Sequence, residues 1–446
     1  MSFSAASLGA VLKRHLPSEA TGLVVALSGG TDSSCLLAAA AQLYPPGAVP
    51  PLRAVHVDHG LQSAAESFRG VCAIVCERLR IPLSIVAVPV AACAGASLEA
   101  AARDARYAAL AAQLAAGECL MSAHHSDDQA ETVLLQALRG AGLKGLASMP
   151  AIRPFAAGWH LRPLLDVTRA DLQRFAAAHG IVGAVDPMNE DSRFDRVYLR
   201  RHLWPLIEAR WPGAAKAIGR VARHAAAAQS LLDAAADVDI ALLRDGDALS
   251  VPRLRALAPE RRSHAVRRWI GSAAALPPPS TRLSEALRQI MDADPDQLPA
   301  VVWGEHALRR YRDRLFLTAA EPPRFIAERA WEHARHPTLD LGPGLGRLRC
   351  EVRSGGLAAV RLPAMLRVRG RAGGEVLRPG PLAATQSVQH LCQGHGILPW
   401  MRAALPFIFA GADLVAIGDF WLEARCCVPA GAPGLAFRWE EAPPLV

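Results

Sequence analysis

The sequence predicts an α/β protein that opens with a doubly wound parallel sheet and continues with a helical domain and a small α+β domain. Strand-like runs alternate with helical segments over the first 150 residues, at intervals that suit βα units. A long alanine-rich stretch follows from about Lys216, and the last third has short strand-like runs rich in glycine and proline. With 446 residues, the chain is too long for a single core. We therefore predict three domains, over residues 1–215, 216–320 and 321–446.

Four strands, each followed by a helix, are predicted within the first domain. The strand-like runs are GLVVALS, LRAVHVDH, PLSIVAVPV and ECLMSAHHS. The helical segments cover residues 33–43, 63–80, 97–116 and 127–138, and they begin near Ser or Asp residues that can cap a helix. Ligands of such sheets bind at the carboxyl ends of the strands. Polar clusters at 28–33, 56–59 and 124–128 fall at this edge, so we expect the functional site there.

The remaining segments are assigned in order along the chain. LRPLLDVTRADLQRFAAAHG predicts a short strand and a helix, and DPMNEDSRFDRVYLRRHLWPLI predicts a polar loop that leads into a basic helix. AEPPRF, near residue 321, has the composition of a linker. Within the last domain, TQSVQHLCQGHG is the one helix-like stretch.

Composition narrows the class of protein. The chain is 51% hydrophobic and 20% charged, which is typical of a globular protein. It shows neither a secretory signal pattern nor an apolar run long enough to span a bilayer, so we expect a cytoplasmic protein that does not use a membrane. Nine cysteines at irregular spacing do not suggest a disulfide framework. Cys72 and Cys76 lie one helical turn apart and could share a metal, but no partner follows, and we predict buried thiols.

The net charge of +8 comes mostly from the second half of the chain, and nearly every cation is an arginine. Arginine suits phosphate recognition through paired hydrogen bonds. A solvated surface, or a genome that favours alanine and arginine, would give the same composition. Charge alone therefore leaves nucleic-acid binding and a plain solvated surface as equal alternatives.

The stretch VVALSGGTDSSCLL joins a strand to a helix through two glycines. Glycine lets the backbone approach a ligand closely, and the N–H groups of a helix start form an anion site. The lysine of G-x-x-x-x-G-K-[ST] and the spacing of G-x-G-x-x-G are both absent, so neither a P-loop NTPase nor a dinucleotide fold is indicated. SGGTDS resembles the PP-loop, S-G-G-x-D-S, of the N-type ATP pyrophosphatases; the plainer alternative is a tight turn with a helix cap. The resemblance implies nucleotide binding by Ser28, Gly29, Gly30, Thr31, Asp32 and Ser33.

Two further groups are expected beside this loop. His56 and Asp58 end the second strand, where an acidic residue can meet a ribose hydroxyl. Arg103 and Arg106 share one helical face, where two guanidinium groups could clamp phosphate. The plainer interpretations are a hydrogen-bonded histidine at a strand end and a solvated arginine pair.

SAHHSDDQAETVLLQALRG adds a cluster of acids at a helix start. His124 precedes Asp127, Asp128 and Glu131, and three carboxylates there could hold Mg²⁺ and orient an attacking amine. Acids in a first helical turn also favour the helix dipole without any further role. Their position at the same edge as the glycine loop favours the functional interpretation.

Taken together, these motifs resemble the tRNA(Ile)-lysidine synthetase family over most of the chain. The family's A-R-x-x-R-Y matches residues 102–107, and its H-H-x-D-D-Q-A-E-T matches residues 124–132. RPLL at 162–165, DPMN at 186–189 and the C-terminal stretches RGRAGGEVLRPG and GILPWMRAALPFIFAGADLVAIGDFW are further matches. The likeness is weakest over 216–320. Two departures stand out: the last helix lacks the family's basic pair, which leaves its tRNA contact open, and Val197 stands where the family usually has Asn.

The resemblance implies a ligase that joins free L-lysine to C2 of the wobble cytidine of tRNA(Ile) with a CAU anticodon. ATP would first adenylate the C2 oxygen and release pyrophosphate, and the lysine amine would then displace AMP. The cofactors implied are ATP and Mg²⁺, and a homodimer is a candidate assembly. Residues predicted to be catalytic are Asp127, Asp128, Glu131, Arg103 and Arg106. Predicted nucleotide ligands outside the loop are His56, Asp58 and His124. Predicted metal ligands are Asp32, Asp127, Asp128 and Glu131. Arginines predicted to contact tRNA are Arg200, Arg201, Arg267, Arg268, Arg309, Arg310 and Arg371.

Three rival functions are weighed against this one. A PP-loop tRNA thiolase acting on cytidine would carry sulfur on a Cys-x-x-Cys pair, which the sequence lacks. A non-catalytic tRNA-binding protein with a decayed nucleotide fold is at odds with the intact SGGTDS and HHSDDQAET motifs. An amidotransferase-type synthetase would need a glutaminase domain, which we do not find.

Overall fold

The computed structural model describes residues 2–58, 65–88, 98–184, 193–273, 275–294, 297–325 and 327–445. Its contacts divide the chain into two compact units, Met1–Leu232 and Asp233–Val446. The division into three domains therefore stays a prediction. The DPMN match and residues 59–62 of HVDHGLQ lie outside the described residues.

The first unit is built on a six-stranded sheet. Its strands are β1 (Gly22–Ala26), β2 (Leu52–Asp58), β3 (Leu83–Ala87), β4 (Glu118–Met121), β5 (Ile152–Phe155) and β6 (Gly158–Leu161). Their order is β3-β2-β1-β4-β6-β5, and every neighbouring pair is parallel except β5 with β6. The predicted parallel sheet is confirmed, and the antiparallel hairpin of β5 and β6 at its edge is an addition.

Helices follow the strands of this unit as the periodicity predicts. They are α1 (Ala5–His15), α2 (Thr31–Leu43), α3 (Ala65–Leu79), α4 (Leu98–Ala112), α5 (Ser126–Leu138), α6 (Leu143–Leu146), α7 (Arg169–His179), α8 (Asp195–Tyr198) and α9 (Trp204–Arg210). A π-helical turn over Leu199–Leu203 joins α8 to α9 and completes the predicted basic helix.

The sheet of the first unit is covered on both faces, as in a doubly wound fold. Alternate residues of β1 point to opposite cores: Leu23 and Val25 pack with helices α1, α2, α3 and α7, while Val24 packs with Leu110 and Leu114 in and after α4. This alternation follows from the two-residue period of a strand. The carboxyl edge of the sheet lies between the two helical layers, where ligands of such folds bind.

The second unit combines helices with antiparallel sheets. The division between the units falls inside α10 (Ala214–Leu243), the helix that the alanine-rich run predicts. Helices α11 (Val251–Ala256), α12 (Pro259–Ser272) and α13 (Ser280–Asp292) follow. The strands β7 (Arg244–Asp245), β8 (Ala248–Ser250), β9 (Ala300–Trp303), β10 (His306–Tyr311) and β11 (Arg314–Ala319) form one sheet, in the order β7-β8-β11-β10-β9.

This five-stranded sheet was not predicted within the helical domain. Its hairpins turn at Gly304 and Arg312, both with positive φ, so only a short break separates neighbouring strands. In AVVWGEHALRRYRDRLFLTAA, charged residues interrupt the alternation of apolar and polar residues that indicates a strand. The alanine-rich composition of the region therefore favoured a prediction of helices alone.

The rest of the second unit is rich in strands, as predicted. Its strands are β12 (Arg329–Trp331), β13 (Thr338–Gly342), β14 (Gly346–Ser354), β15 (Leu366–Arg369), β16 (Val376–Leu377), β17 (Gln386–Ser387), β18 (Phe407–Ala410), β19 (Asp413–Ile417), β20 (Trp421–Leu422) and β21 (Pro433–Glu440). They form three sheets: β12-β15-β18-β19-β20, β13-β14-β21 and β16-β17. The predicted helix in TQSVQHLCQGHG is α14 (Val388–Gly394).

The described cysteines of the first unit are core groups. Cys72 and Cys76 are buried in α3, and burial raises their thiol pKa values to about 12 and about 11. This confirms the prediction of buried thiols. Within the described ranges, no group of three or more His, Cys, Asp or Glu residues is arranged to hold a metal ion. None of the described helices is both long and apolar enough to cross a membrane.

Candidate active site

The glycine loop between β1 and α2 has the conformation that its sequence predicts. Gly29 has a φ of +85°, and a Cβ placed there would lie 2.9 Å from the Phe68 carbonyl oxygen. Gly30 has an ordinary φ of −78°, and a Cβ there would meet only the Ser28 hydroxyl, at 3.4 Å. Of the two glycines, Gly29 is therefore the one that the backbone requires.

Hydroxyl groups hold the loop together from within. The Ser28 and Ser33 hydroxyl oxygens lie 3.0 Å apart, and the Ser33 and Ser34 hydroxyls each donate to the Gly30 carbonyl at 3.0 Å. Gly30 precedes α2 and has no side chain that could cap it. The first-turn amides of α2 thus lack the cap that a Ser or Asp would supply, which is the arrangement of an anion site.

A second segment packs directly against this loop. The Ala184 amide donates to the Gly29 carbonyl at 2.9 Å, and a Cβ at Gly183 would lie 2.2 Å from the Thr31 amide nitrogen. We call residues 181–184 the strap. The strap was not predicted as part of the site, because its contact joins segments about 150 residues apart in the sequence.

Three carboxylates surround the buried ring of His125, which precedes α5. Its Nε2 lies 3.6 Å from an Asp32 oxygen and 3.5 Å from an Asp128 oxygen, and its Nδ1 lies 3.5 Å from an Asp127 oxygen. Burial opposes a positive charge on this ring, but the carboxylates outweigh burial and raise its pKa to about 9. The structure thus brings Asp32, from the glycine loop, together with the acids of α5 around a histidine that was not predicted.

Asp127 and Asp128 are held by backbone amides. Asp127 accepts from the Arg169 amide at 2.9 Å, and Asp128 accepts from the His125 amide at 3.1 Å, which caps α5. Burial alone would raise the pKa of Asp127, but the hydrogen bond from His125 and that amide lower it to about 2. The pKa of Asp128 is also lowered, against its burial, mainly by the charge of His125 and by the hydrogen bond from the His125 amide. Carboxylates that stay ionised bind cations well and are poor proton acceptors near neutral pH.

Glu131 lies deeper than the other acids and is already paired. Its side chain is 2% exposed and accepts from Arg200 at 2.7 and 2.8 Å, with Arg196 at 3.2 Å. Arg200 also lies 3.3 Å from Asp128. Arg200, predicted to contact tRNA, instead lies inside the acid cluster, while Arg196 was not predicted at all. The Glu131 carboxylate is therefore engaged by two guanidinium groups and not open toward a metal.

Arginines and aromatic rings form a separate group beside α4, which we call the arginine face. Arg103 and Arg106 each lie 5.6 Å from the centre of the Tyr107 ring. Arg153, which was not predicted, lies 5.9 Å from that ring and 5.5 Å from the Phe155 ring. Burial lowers the pKa of Arg106. In the part of the chain that the structure describes, these arginines form no ion pair with a carboxylate, so their charge is available to an anionic partner.

A chain of hydrogen bonds runs from Arg162 to His124 and passes through His160, whose ring lies 5.7 Å from the Tyr107 and Phe155 rings. Arg162 Nη2 lies 3.2 Å from His160 Nδ1, and the Ser122 hydroxyl lies 2.8 Å from both His160 Nε2 and His124 Nδ1. Burial, together with the nearby arginines, lowers the pKa of His160 to about 2. Burial lowers the pKa of His124 to about 3, although Asp128 opposes this shift. Both rings are therefore neutral at physiological pH.

The two residues predicted at the end of β2 differ in their placement. His56 is buried, and its Nδ1 lies 2.8 Å from the Leu27 carbonyl and 3.5 Å from Cys72 Sγ. Its ring is a hydrogen-bonded core group, which matches the plainer interpretation and corrects the prediction of a nucleotide contact. Asp58 lies at the sheet edge, where it pairs with Arg69 at 3.2 Å.

Several arginines predicted to contact tRNA have other roles in the second unit. Arg310 is 2% exposed and donates to the Ile290 and Ala293 carbonyls at 2.9 Å, so it is a structural group, and the prediction is wrong for it. Arg268 forms a two-point pair with Asp237 at 2.8 and 2.9 Å. Arg267 donates to Ser280 and Arg309 to Thr318.

Two predicted arginines remain on the surface. Arg201 is exposed in the π-helical turn of the first unit, and Arg371 is exposed in a loop of the second unit. Their side chains keep the prediction of a tRNA contact open.

Comparisons with known families match most of this chain. A PP-loop domain model matches residues 4–207, a TilS substrate binding domain model matches residues 249–316, and a TilS substrate C-terminal domain model matches residues 366–439. The first match contains the glycine loop, the acid cluster and the arginine face.

Curated relatives match over nearly the full length. A tRNA(Ile)-lysidine synthase from Alkalilimnicola ehrlichii is 39% identical over 438 residues, which cover 97% of each chain. Its counterpart from Pseudomonas aeruginosa is 40% identical over 413 residues and covers 90% of each chain. A solved U34-tRNA thiolase from Methanococcus maripaludis is 18% identical, with a TM-score of 0.41, and the match covers 49% of this chain and 77% of that one.

Proposed function

The chain belongs to the tRNA(Ile)-lysidine synthase family, and we propose that its site joins free L-lysine to C2 of the wobble cytidine of tRNA(Ile) with a CAU anticodon. It is a ligase of the PP-loop class, and that class uses ATP. The observation that supports the proposal is a single edge of the sheet, where an anion-binding loop and a cluster of ionised acids lie near an arginine face that has no carboxylate partner among the described residues.

The glycine loop is the proposed pyrophosphate site. The uncapped first turn of α2 offers amides to an anion, and the hydroxyls of Ser28 and Ser33 line the same turn. The strap backs the loop at Thr31 and so holds its backbone in place. Cytosine O2 would attack the α-phosphorus, pyrophosphate would leave, and the base would carry AMP as a good leaving group.

Mg²⁺ is proposed as the second cofactor, and the acids fit it in part. Magnesium is usually held by one or two carboxylates together with substrate phosphates, so a complete protein cage is not required. Asp32 is 38% exposed and reaches the same histidine as Asp128, which suits a metal between the loop and α5. Asp127 is ionised nearby. Glu131 does not fit, because Arg196 and Arg200 already occupy its carboxylate. Bound there, Mg²⁺ would neutralise phosphate charge.

The arginine face is proposed to receive the RNA. Arg103, Arg106 and Arg153 present cations beside two aromatic rings, a combination that suits both phosphates and unstacked bases. The target cytidine must leave its stack to reach the sheet edge. Arg106 of this face lies close enough to His124 for its charge to contribute to the lowered pKa of that ring, so RNA bound at the face would lie near the acid cluster.

Lysine is proposed to bind as a cation before it reacts. The ionised carboxylates near His125 can hold an ammonium group, while Glu131 positions Arg200 beside them. In the second step the lysine ammonium first loses one proton to solvent, and a bond then forms between its nitrogen and C2. The bond from C2 to the AMP oxygen breaks, AMP leaves, and the nitrogen loses a second proton to solvent.

Incubation of the protein with ATP, labelled lysine and a tRNA(Ile) transcript tests this function directly. Label should enter the tRNA with one AMP and one pyrophosphate released for each lysine. A transcript whose wobble cytidine is replaced by uridine is the matched control and should stay unlabelled. Labelling of the uridine transcript would contradict the proposed function. So would a failure to incorporate lysine combined with modification of the tRNA when a sulfur donor and a thiol are added, because that result would favour a thiolase.

The cytoplasm, where tRNA and ATP occur together, is the proposed location. Light scattering would decide whether the enzyme is a homodimer.

A further inference from the structure

Four polar side chains form a continuous hydrogen-bonded chain in the first unit, and the proposed function uses only the last of them. They are Arg162, His160, Ser122 and His124, joined by contacts of 3.2, 2.8 and 2.8 Å. The first three are buried, whereas His124 is only partly buried and lies at the sheet edge. Arg162 is anchored by a 2.8 Å hydrogen bond to the Pro150 carbonyl. Buried polar chains of this kind constrain the positions of their protons.

The direction of each hydrogen bond follows from the chemistry of the donors. A guanidinium group can only donate, so His160 Nδ1 must accept from Arg162. The neutral His160 ring then carries its proton on Nε2 and donates to the Ser122 oxygen. The hydroxyl has one proton, which is left for His124 Nδ1. His124 Nδ1 is therefore an acceptor, and the single proton of this ring lies on Nε2.

Other proton arrangements leave a buried group without a partner. If both imidazole rings donated to Ser122, its hydroxyl proton would find no acceptor, because the two rings are its hydrogen-bond partners among the described residues. If His160 carried its proton on Nδ1, an N–H would face the guanidinium N–H of Arg162. A buried donor without an acceptor is costly, so one arrangement dominates. The low pKa values of both rings, about 2 and about 3, are consistent with neutral imidazoles.

We propose that Arg162 is a positioning residue that acts through His160 and Ser122 to hold His124 as the Nε2–H tautomer. His124 then presents an uncharged hydrogen-bond donor at the sheet edge. On the proposed function, this donor would contact the oxygen that joins cytosine C2 to AMP, where negative charge grows as that bond breaks. A ring held in this state does not accept a proton from lysine, so His124 is not the base of the second step.

Nitrogen NMR of the full chain labelled with [15N]histidine tests the tautomer without any substrate. The His124 signals are identified by their loss in His124→Gln. We expect an unprotonated Nδ1 and a protonated Nε2, unchanged across the neutral pH range. A protonated Nδ1, or two nitrogens that titrate as in a free imidazole, would overturn the proposal. This result does not depend on turnover, so it stands or fails separately from the proposed function.

Variants of Ser122 and His160 test whether the hydrogen-bonded chain sets the His124 tautomer. Ser122→Ala removes the donor to His124 with little change in volume. The His124 signals should then show both tautomers, and kcat should fall roughly 10- to 100-fold, by analogy with the loss of hydrogen-bond partners from metal-ligating imidazoles, with little change in the KM for ATP.

Two variants of His160 separate its role in the hydrogen-bonded chain from its role in packing. In His160→Gln the amide oxygen can accept from Arg162 and the amide N–H can donate to Ser122, so the tautomer and most of kcat should survive. His160→Phe keeps the ring but lacks both polar atoms, so it should behave like Ser122→Ala. Equal loss in both His160 variants, or an unchanged His124 tautomer in Ser122→Ala, would contradict the proposal. If His160→Phe fails to fold, the His124 tautomer measured in Ser122→Ala decides between the proposal and its rejection.

Discussion

Two halves of one sheet edge meet at the neighbouring residues His124 and His125, and they are organised in opposite ways. Around His125, three carboxylates raise the pKa of the ring to about 9. Around His124, burial and nearby arginines lower the pKa to about 3. Two adjacent residues of the same type therefore differ in charge at neutral pH. The neighbours on each side of the sheet edge therefore determine whether the histidine ring there is charged or neutral.

The two halves of the sheet edge suit different substrates. The half with the glycine loop combines free amides with ionised acids, which suits pyrophosphate, metal and ammonium groups. The other half carries guanidinium groups beside aromatic rings and has no acidic partner among the described residues, which suits RNA.

The largest effect should come from Gly29→Ala, which tests the anion-binding half. An alanine there would need a φ of +85° and would approach the Phe68 carbonyl to 2.9 Å, so the loop must shift. A shift of about 1 Å in a positioning element can cost roughly 100-fold in rate, and ATP-dependent pyrophosphate release should fall by that factor. Gly219→Ala in α10 meets no atom within 4 Å and is the matched control. Full turnover by the Gly29 variant would show that the loop does not hold the nucleotide.

Arg200→Met should have the next largest effect, on stability as well as activity. It removes the two-point partner of Glu131, whose side chain is 2% exposed, and leaves Arg196 as its remaining cation. Removal of one partner from a buried pair costs about 3 kcal/mol, which urea denaturation would measure. Arg139→Met breaks an exposed pair with Asp195 and should cost less than about 1 kcal/mol. Equal losses in the two variants would mean that Glu131 is not a buried charge that depends on Arg200.

Arg153→Met tests the arginine face and should act on RNA alone. It removes a guanidinium that lies beside Tyr107 and Phe155 and forms no ion pair within the described ranges, so the KM for tRNA should rise while the KM for ATP stays the same. The slope of log affinity against log salt should fall by about 1, as for one lost phosphate contact. Arg268→Met, whose guanidinium is already paired with Asp237, should change the slope less. The reverse order of these two effects would place the RNA elsewhere.

The smallest effect is expected at the amino end of the same sheet, where Arg53 donates to Glu118 at 2.8 Å. The hydrogen bond from Arg53 lowers the pKa of Glu118 below its ordinary value of 4.5. A carboxylate with a lowered folded-state pKa stabilises the fold above its unfolded pKa, and this contribution is lost as the pH falls through the folded value. Glu118→Gln should therefore be less stable than the wild type at pH 7, and the gap should narrow between about pH 5 and pH 3. Its kcat should match the wild type, because only the carboxyl edge carries the chemistry.

The fold of the first unit could be predicted because its signals are local. The period of two in GLVVALS and the period of 3.6 in the segments after each strand determine the order of strands and helices. The glycine loop is also local, since strand, turn and helix follow one another directly. The strap could not be predicted, because the contact of Gly183 with Thr31 depends on how distant segments pack.

Single side chains were harder to predict than elements. His125 occupies the residue before α5 and was overlooked beside His124, although successive residues in an extended segment face opposite ways. The same rule could have separated Arg309 from Arg310 on β10, where the second arginine points into the core. Arg153 gave no local signal, because its importance comes from the aromatic rings beside it. Arg162 was marked only as the first residue of the RPLL match, and its contact with His160 could not be predicted from the sequence.

The hydrogen bond from Ala184 to Gly29 also has a consequence for the order of synthesis. The glycine loop leaves the ribosome early, but the segment that backs it emerges only after some 150 further residues. A nascent chain that stops before the strap would hold an unsupported loop, and it should not retain ATP. Nucleotide binding would thus arise late in translation, after the sheet that presents the loop has been completed.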